Sequence, residues 1–120
     1  MEPNAVHLYT YRARCTKAYD ADTITVSVDL GMHVTLNGIT LRLSRINAPE
    51  VRGDERPEGL VARDVLRELV LDKEVLIQTF KDKVGKYGRY IAEVWVEHDE
   101  GLINISDHLV ANGHARYQEY

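Results

Sequence analysis

Between Thr23 and Leu30 apolar and polar residues alternate without a break. Ile24, Val26, Val28 and Leu30 fall on one side and Thr23, Thr25, Ser27 and Asp29 on the other, the two-residue period of a strand with one buried face. A looser alternation from His7 to Lys17, through Leu8, Tyr9, Tyr11 and Cys15, predicts a longer strand before it. Gly31 breaks the pattern. Val34 to Leu36, then Asn37-Gly38, then Ile39 to Ile46 read as a hairpin leading into a third strand, Asn-Gly being the strongest short hairpin signal. "EVLIQTF" and "RYIAEVWVEH" supply a fourth and a fifth strand.

The period changes after Pro49. Beyond the polar stretch "EVRGDERPEG", the segment "LVARDVLRELVLDK" places Val61, Val65 and Leu69, with Leu66 and Val70 beside them, on one helical stripe. Glu58 and Lys73 suit the two ends of its dipole. A short second helix is predicted from about Ile105 to Asn112, with Asn104 as cap, Asp107 at the capping-box position and Gly113 at the left-handed stop. Five short strands with a helix between the third and fourth predict a mainly β, α+β fold: a five-stranded OB-fold-like barrel with two helices. Residues 1–120 read as a single domain, one core being what this length can bury.

Composition narrows the partners. Hydrophobic residues make up 44% and charged residues 28% of the chain, ordinary for a soluble protein. No apolar run approaches a membrane span, and Met1-Glu2-Pro3-Asn4 lacks a signal pattern, so the expectation is a cytoplasmic monomer with no membrane partner. A net charge of −4 argues against holding nucleic acid by bulk electrostatics, so any such contact must use a local cluster. The lone Cys15 can form no internal disulfide and reads as a buried, inert thiol. His7, His33, His98, His108 and His114 show no zinc-ligand spacing.

The chemistry lies in a few short stretches. "LRLSRINAPE" carries Arg42 and Arg45 inside a strand-like run that ends in a carboxylate, Glu50. Charges in a sheet need partners. "YDADT" sets Asp20 and Asp22 on the same face of an extended chain, where two carboxylates repel unless a cation joins them; a solvated turn is the plainer alternative. "KDKVGKYGR" gathers Lys81, Lys83, Lys86 and Arg89 against one acid, Asp82, and is either a solvated turn or one wall of a groove.

Taken together, "AYDADTITV", "LRLSRINAPE", "KYGRYIAEVWV" and "LVANGHA" resemble the staphylococcal nuclease (thermonuclease) family in order and spacing, from about Leu8 to Tyr117. The resemblance implies a calcium-dependent nuclease that cleaves DNA or RNA with little sequence preference and leaves 3′-phosphates. By the same resemblance Arg42 and Arg89 bind the phosphate, and Glu50 activates the attacking water. Asp22, Asn47 and the Ala48 carbonyl surround calcium, with Asp20 beside them, and Lys86 and Tyr87 lie near the substrate. Asn47 stands where the family prototype has an aspartate, which implies a weaker metal site. Arg45 matches an apolar position and is expected to be a surface residue.

The physics of phosphodiester hydrolysis suits these residue types. Charge grows on the non-bridging oxygens, and guanidinium forks stabilise it more than lysine would. Two competing expectations stand. Arg42 paired with Asp22 or Glu50 would be a structural ion pair, and the whole chain a non-catalytic barrel that binds nucleic acid or a protein. Trp95 and Tyr90 are expected in the barrel wall, and Tyr117 and Tyr120 are candidates for base stacking.

Overall fold

The structure, a computed structural model, describes residues 8–85, 88–99 and 101–118; Lys86 and Tyr87 of the expected site and Tyr120 lie outside them. Its strands are β1 (Thr10–Asp20), β2 (Thr23–Gly31), β3 (Val34–Leu43), β4 (Ile46–Asn47), β5 (Glu74–Val84), β6 (Tyr90–His98), β7 (Gly101–Asn104) and β8 (Arg116–Tyr117). The helices are α1 (Arg56–Val70) and α2 (Ile105–Ala111), with a 3₁₀ turn at Gly53–Glu55 before α1.

The large sheet runs β3-β2-β1-β5-β6-β7, and β6 returns to pair in parallel with β3, closing a five-strand barrel. The alternation that predicted β2 decides what fills it: Ile24 and Val26 point inward with Leu41, Leu43, Ile77 and Val94, all essentially without solvent contact. Cys15 is buried among them, and desolvation pushes its thiol up to about 11, so it stays protonated and inert as expected. Leu66 and Val70 of α1 and Ile105 and Leu109 of α2 complete the core. Burial of each such side chain contributes roughly 1.5–3 kcal/mol.

Three local expectations are corrected. The hairpin turn is Met32-His33, both at positive φ (53° and 64°), with Gly31 paired to Val34 on either side, the two-residue geometry that matches strand twist. Asn37-Gly38 instead lies within β3 as a bulge: register slips between Val26/Ile39 and Val28/Leu36, Gly38 takes φ 71°, and the Ser27 hydroxyl donates to Asn37 Oδ1 at 2.8 Å. Helix α1 starts at Arg56, within the polar stretch that precedes the predicted stripe, and its buried face is Gly59, Ala62, Leu66 and Val70. Val61 is exposed, because the true face lies one position round from the expected stripe. β1 begins three residues later than predicted and runs on to Asp20.

Two short pairings had no signal in the pattern. β4 and β8 form a two-residue ribbon, Ile46 opposite Tyr117 and Asn47 opposite Arg116. β7 adds to the free edge of β6. The second helix is as expected: the Asn104 side chain accepts from the Asp107 N–H at 3.0 Å, and Gly113 takes φ 78°. No helix among the described residues is long and apolar enough to cross a membrane.

Candidate active site

Barrel closure brings the two expected phosphate-binding arginines to one end of the barrel. Thr23, the first residue of β2, pairs with Arg42 on β3, and Arg42 in turn lies opposite Ile91 on β6. Arg89, just before β6, therefore emerges beside Thr23, and its Nη1 donates to the Thr23 hydroxyl at 3.2 Å. The Gly85 N–H donates to the Arg89 carbonyl at 2.6 Å.

Asp20 and Asp22 do not share an extended face. Asp20 ends β1, whereas Ala21 and Asp22 form the turn that follows. Asp22 turns inward: Oδ1 accepts from the Thr23 hydroxyl at 3.2 Å and Oδ2 from the Ala48 N–H at 3.1 Å. Arg42, only 7% exposed, reaches Asp22 Oδ2 at 3.3 Å, Asn47 Oδ1 at 3.4 Å and the Leu43 carbonyl at 3.0 Å. The structural ion pair weighed from the sequence is therefore present.

Asp20 keeps no such company. Its Oδ1 is buried with no hydrogen-bond partner. Burial first, then the negative charges of Asp22 and Glu50, raise its carboxyl above the usual range, while the Val51 N–H and the charge of Arg52 pull the other way. A buried, unsatisfied carboxylate oxygen facing other acids marks a place where a cation would relieve both desolvation and repulsion.

Asp20, Glu50 and Arg89 line one cleft of about 640 Å³, together with Lys17, Tyr19, Thr23, Thr25, Thr40, Val51 and Arg52. Asp22 and Arg42 are buried at the same end, tied to the cleft wall through Thr23. Asn47 and Ala48 line a separate hollow beside Gly113 to Arg116. Glu50 is exposed, and the segment that carries it is fixed from behind by α1, where Gly59 lies against the Glu50 and Val51 backbone. Of the lining residues, Lys17, Tyr19 and Arg52 escaped the sequence reading. The Lys-x-Tyr alternation before Asp20 was available as a signal; nothing local marked Arg52.

A family model described as staphylococcal nuclease homologue matches residues 40–120. The chain belongs to the staphylococcal nuclease family. That match takes in Arg42, Asn47, Ala48, Glu50 and Arg89, whereas Asp20 and Asp22 precede it. No curated protein matches the chain.

Arg45 lies at the surface, as expected, but it is fully engaged there. Its guanidinium holds both Glu93 oxygens at 2.8 Å and Asp107 Oδ1 at 2.9 Å, and it lies over the Tyr117 ring. Tyr117 donates its hydroxyl to Asp107 at 2.8 Å. These contacts form a polar clasp that joins the turn between β3 and β4 to β6, α2 and β8. The clasp restrains Tyr117, although its ring remains exposed. Tyr90 is exposed at the rim and Trp95 is half-buried.

The donor set around Asp20 is all oxygen, which fits a hard cation such as calcium rather than zinc. Among the described residues no three acidic, histidine or cysteine groups form a ready cage, so such an ion would keep several waters.

Proposed function

We propose that this cleft hydrolyses phosphodiester bonds in DNA or RNA, with calcium as cofactor. The observation that carries the reading is the convergence of Asp20, Glu50 and Arg89 on one open cleft, with the Arg42–Asp22 pair next to it. Asp20 and Asp22 would hold the ion, with the Ala48 carbonyl and Asn47 as further oxygen ligands. Bound there, calcium would neutralise charge on the phosphate.

Arg89 at the cleft wall takes one non-bridging oxygen. Arg42 takes another by exchanging its contacts at 3.3 and 3.4 Å to Asp22 and Asn47, which are long for charge-assisted bonds. Both forks gain as charge accumulates on the phosphorus oxygens, so they lower the barrier rather than only binding substrate. Glu50, exposed and unencumbered by the core, orients a water and accepts its proton. Lys86 and Tyr87 would add contacts at the substrate.

The rival reading is a non-catalytic barrel that binds nucleic acid or protein. It is favoured by Arg42, which is buried and pairs with Asp22 and Asn47. Incubation of the purified protein with single-stranded DNA, in calcium and in chelator, tests the two. Calcium-dependent fragments carrying 3′-phosphates support the nuclease; intact DNA in both conditions supports the rival.

A further inference from the structure

Beyond the acids and arginines, the same cleft has a second wall to which the nuclease reading assigns no role. Lys17 and Tyr19 alternate on β1 just before Asp20, so both leave the strand on its outer face. Tyr19 is 53% exposed. Arg52, two residues beyond Glu50, folds back so that its guanidinium lies 5.8 Å from the Tyr19 ring centroid and its Nη2 donates to the Tyr19 hydroxyl. All three line the cleft that holds Asp20, Glu50 and Arg89.

The ring is held at its hydroxyl by Arg52, which narrows its orientations before anything binds. A restrained aromatic face costs little entropy to use, and a guanidinium beside it widens the flat surface. A stacking surface next to cations is the device by which proteins hold single-stranded nucleic acid without reading its sequence. It also answers the difficulty raised by the net charge of −4, because here the attraction is local: Lys17, Arg52 and Arg89 share one cleft.

We infer that Tyr19, Arg52 and Lys17 form a nucleotide subsite beside the scissile position, Tyr19 and Arg52 stacking one unpaired base and Lys17 meeting its phosphate. The subsite rests on the nuclease reading for its place in a reaction, but its binding role is separable from cleavage. Two residues of strand separate Lys17 from Tyr19, about 7 Å, so the cation and the ring serve neighbouring parts of one nucleotide. The subsite favours unpaired strands, since a base in a duplex offers no free face.

Fluorescence anisotropy in chelator tests it, with a short labelled oligothymidylate and the same backbone lacking one base. Wild type should prefer the fully based strand by roughly 5- to 150-fold, the range for one stacked base. Tyr19→Ala should lose that preference, Tyr19→Phe should keep part of it, and Lys17→Gln should weaken both strands alike. Arg52→Gln should behave as Tyr19→Ala does. Equal binding of the two strands by wild type, or an unchanged preference in Tyr19→Ala, overturns the subsite. Calcium-dependent cleavage by wild type alongside that result would leave the nuclease reading standing. A Tyr19-dependent preference without any cleavage would instead sink the nuclease reading and keep the subsite. Absence of binding to either strand overturns the subsite, and the cleavage assay then decides the nuclease reading alone.

Discussion

Arg42 and Arg45 lie three residues apart on the same run of chain and live in opposite circumstances. Arg45 is half-exposed yet fully engaged, with contacts of 2.8, 2.8 and 2.9 Å to two carboxylates. Arg42 is buried, with contacts of 3.3 and 3.4 Å to Asp22 and Asn47 and a 3.0 Å bond to the Leu43 carbonyl. Position relative to solvent therefore does not reveal which cation is structural. Bond length to the acids does: a fork filled by short contacts to carboxylates has nothing to offer a phosphate, whereas the long contacts to Asp22 and Asn47 are ones a phosphate can replace.

The acids differ in the same way. Arg45 and its neighbours draw down Asp107, whose largest influence is the Arg45 hydrogen bond. Burial works to raise Glu93, but the hydrogen bonds from Arg45, Asn104 and Ser44 outweigh it and leave its carboxyl lowered. Asp20 moves the other way. The clasp is arranged for stability and the cleft against it, the usual sign of a site kept ready for a ligand.

The largest way to break this contrast is Gly59→Ala. A Cβ at Gly59 would sit 2.0 Å from the Glu50 carbonyl oxygen and 2.4 Å from its carbon, so helix and loop must separate. The expected cost is on the order of 3 kcal/mol, read as a large fall in melting temperature, with loss of cleavage in the molecules that remain folded. Next comes Glu50→Gln, which should lower kcat roughly 10²-fold while a nucleotide inhibitor binds nearly as before. Loss of inhibitor binding would make Glu50 a structural residue.

Titration sharpens the contrast further. Asp107 and Glu93 have folded-state pKa values below their unfolded ones, so their stabilisation is present above the ordinary carboxylate range and is lost as pH falls through the lowered values. Asp20 has a raised folded-state pKa, so the folded state binds the extra proton and its penalty is present at neutral pH and relieved on acidification. Asp20→Asn should then raise the calcium-free melting temperature by a few degrees at neutral pH, converging with wild type as pH approaches about 4, while abolishing the calcium response. An unchanged melting temperature at both pH values would remove Asp20 from the account.

The smallest effect is expected at Asn47→Asp. It adds a charge beside Asp22 and should lower the calcium concentration for half-maximal cleavage by about tenfold or more, with the saturated rate little changed. Because Asn47 lines a different hollow from Asp20, an unchanged calcium midpoint is the outcome that would separate it from the ion.

Much of this fold could be read from the chain, since the barrel strands announce themselves by alternation and α2 by its caps. What stayed hidden depended on tertiary pairing. Asn37-Gly38 has the composition of a turn, but the register with β2 makes it a bulge, and the left-handed turn fell to Met32-His33, residues with no turn preference. The helix face turns on Gly59 and Ala62, which are small enough to approach the Glu50 backbone and Ala48, whereas periodicity of the larger residues points to Val61. In the site, Arg42, Glu50 and Arg89 were legible as a constellation. Arg45 and Tyr19 were not, because each takes its role from a partner distant in sequence, Glu93 in one case and Arg52 in the other.

The contrast between the two arginines is tested most directly by Arg42→Lys and Arg45→Lys measured side by side for cleavage of single-stranded DNA and for melting temperature. Lysine keeps the charge and removes the fork. The account predicts that Arg42→Lys loses more than tenfold in calcium-dependent cleavage with a small change in melting temperature. It predicts that Arg45→Lys loses about 1–2 kcal/mol of stability, as Glu93 and Asp107 lose their shared fork, with cleavage per folded molecule nearly intact. A fall in stability without loss of cleavage for Arg42→Lys would contradict it, and would make the buried Arg42–Asp22 pair part of the scaffold alone.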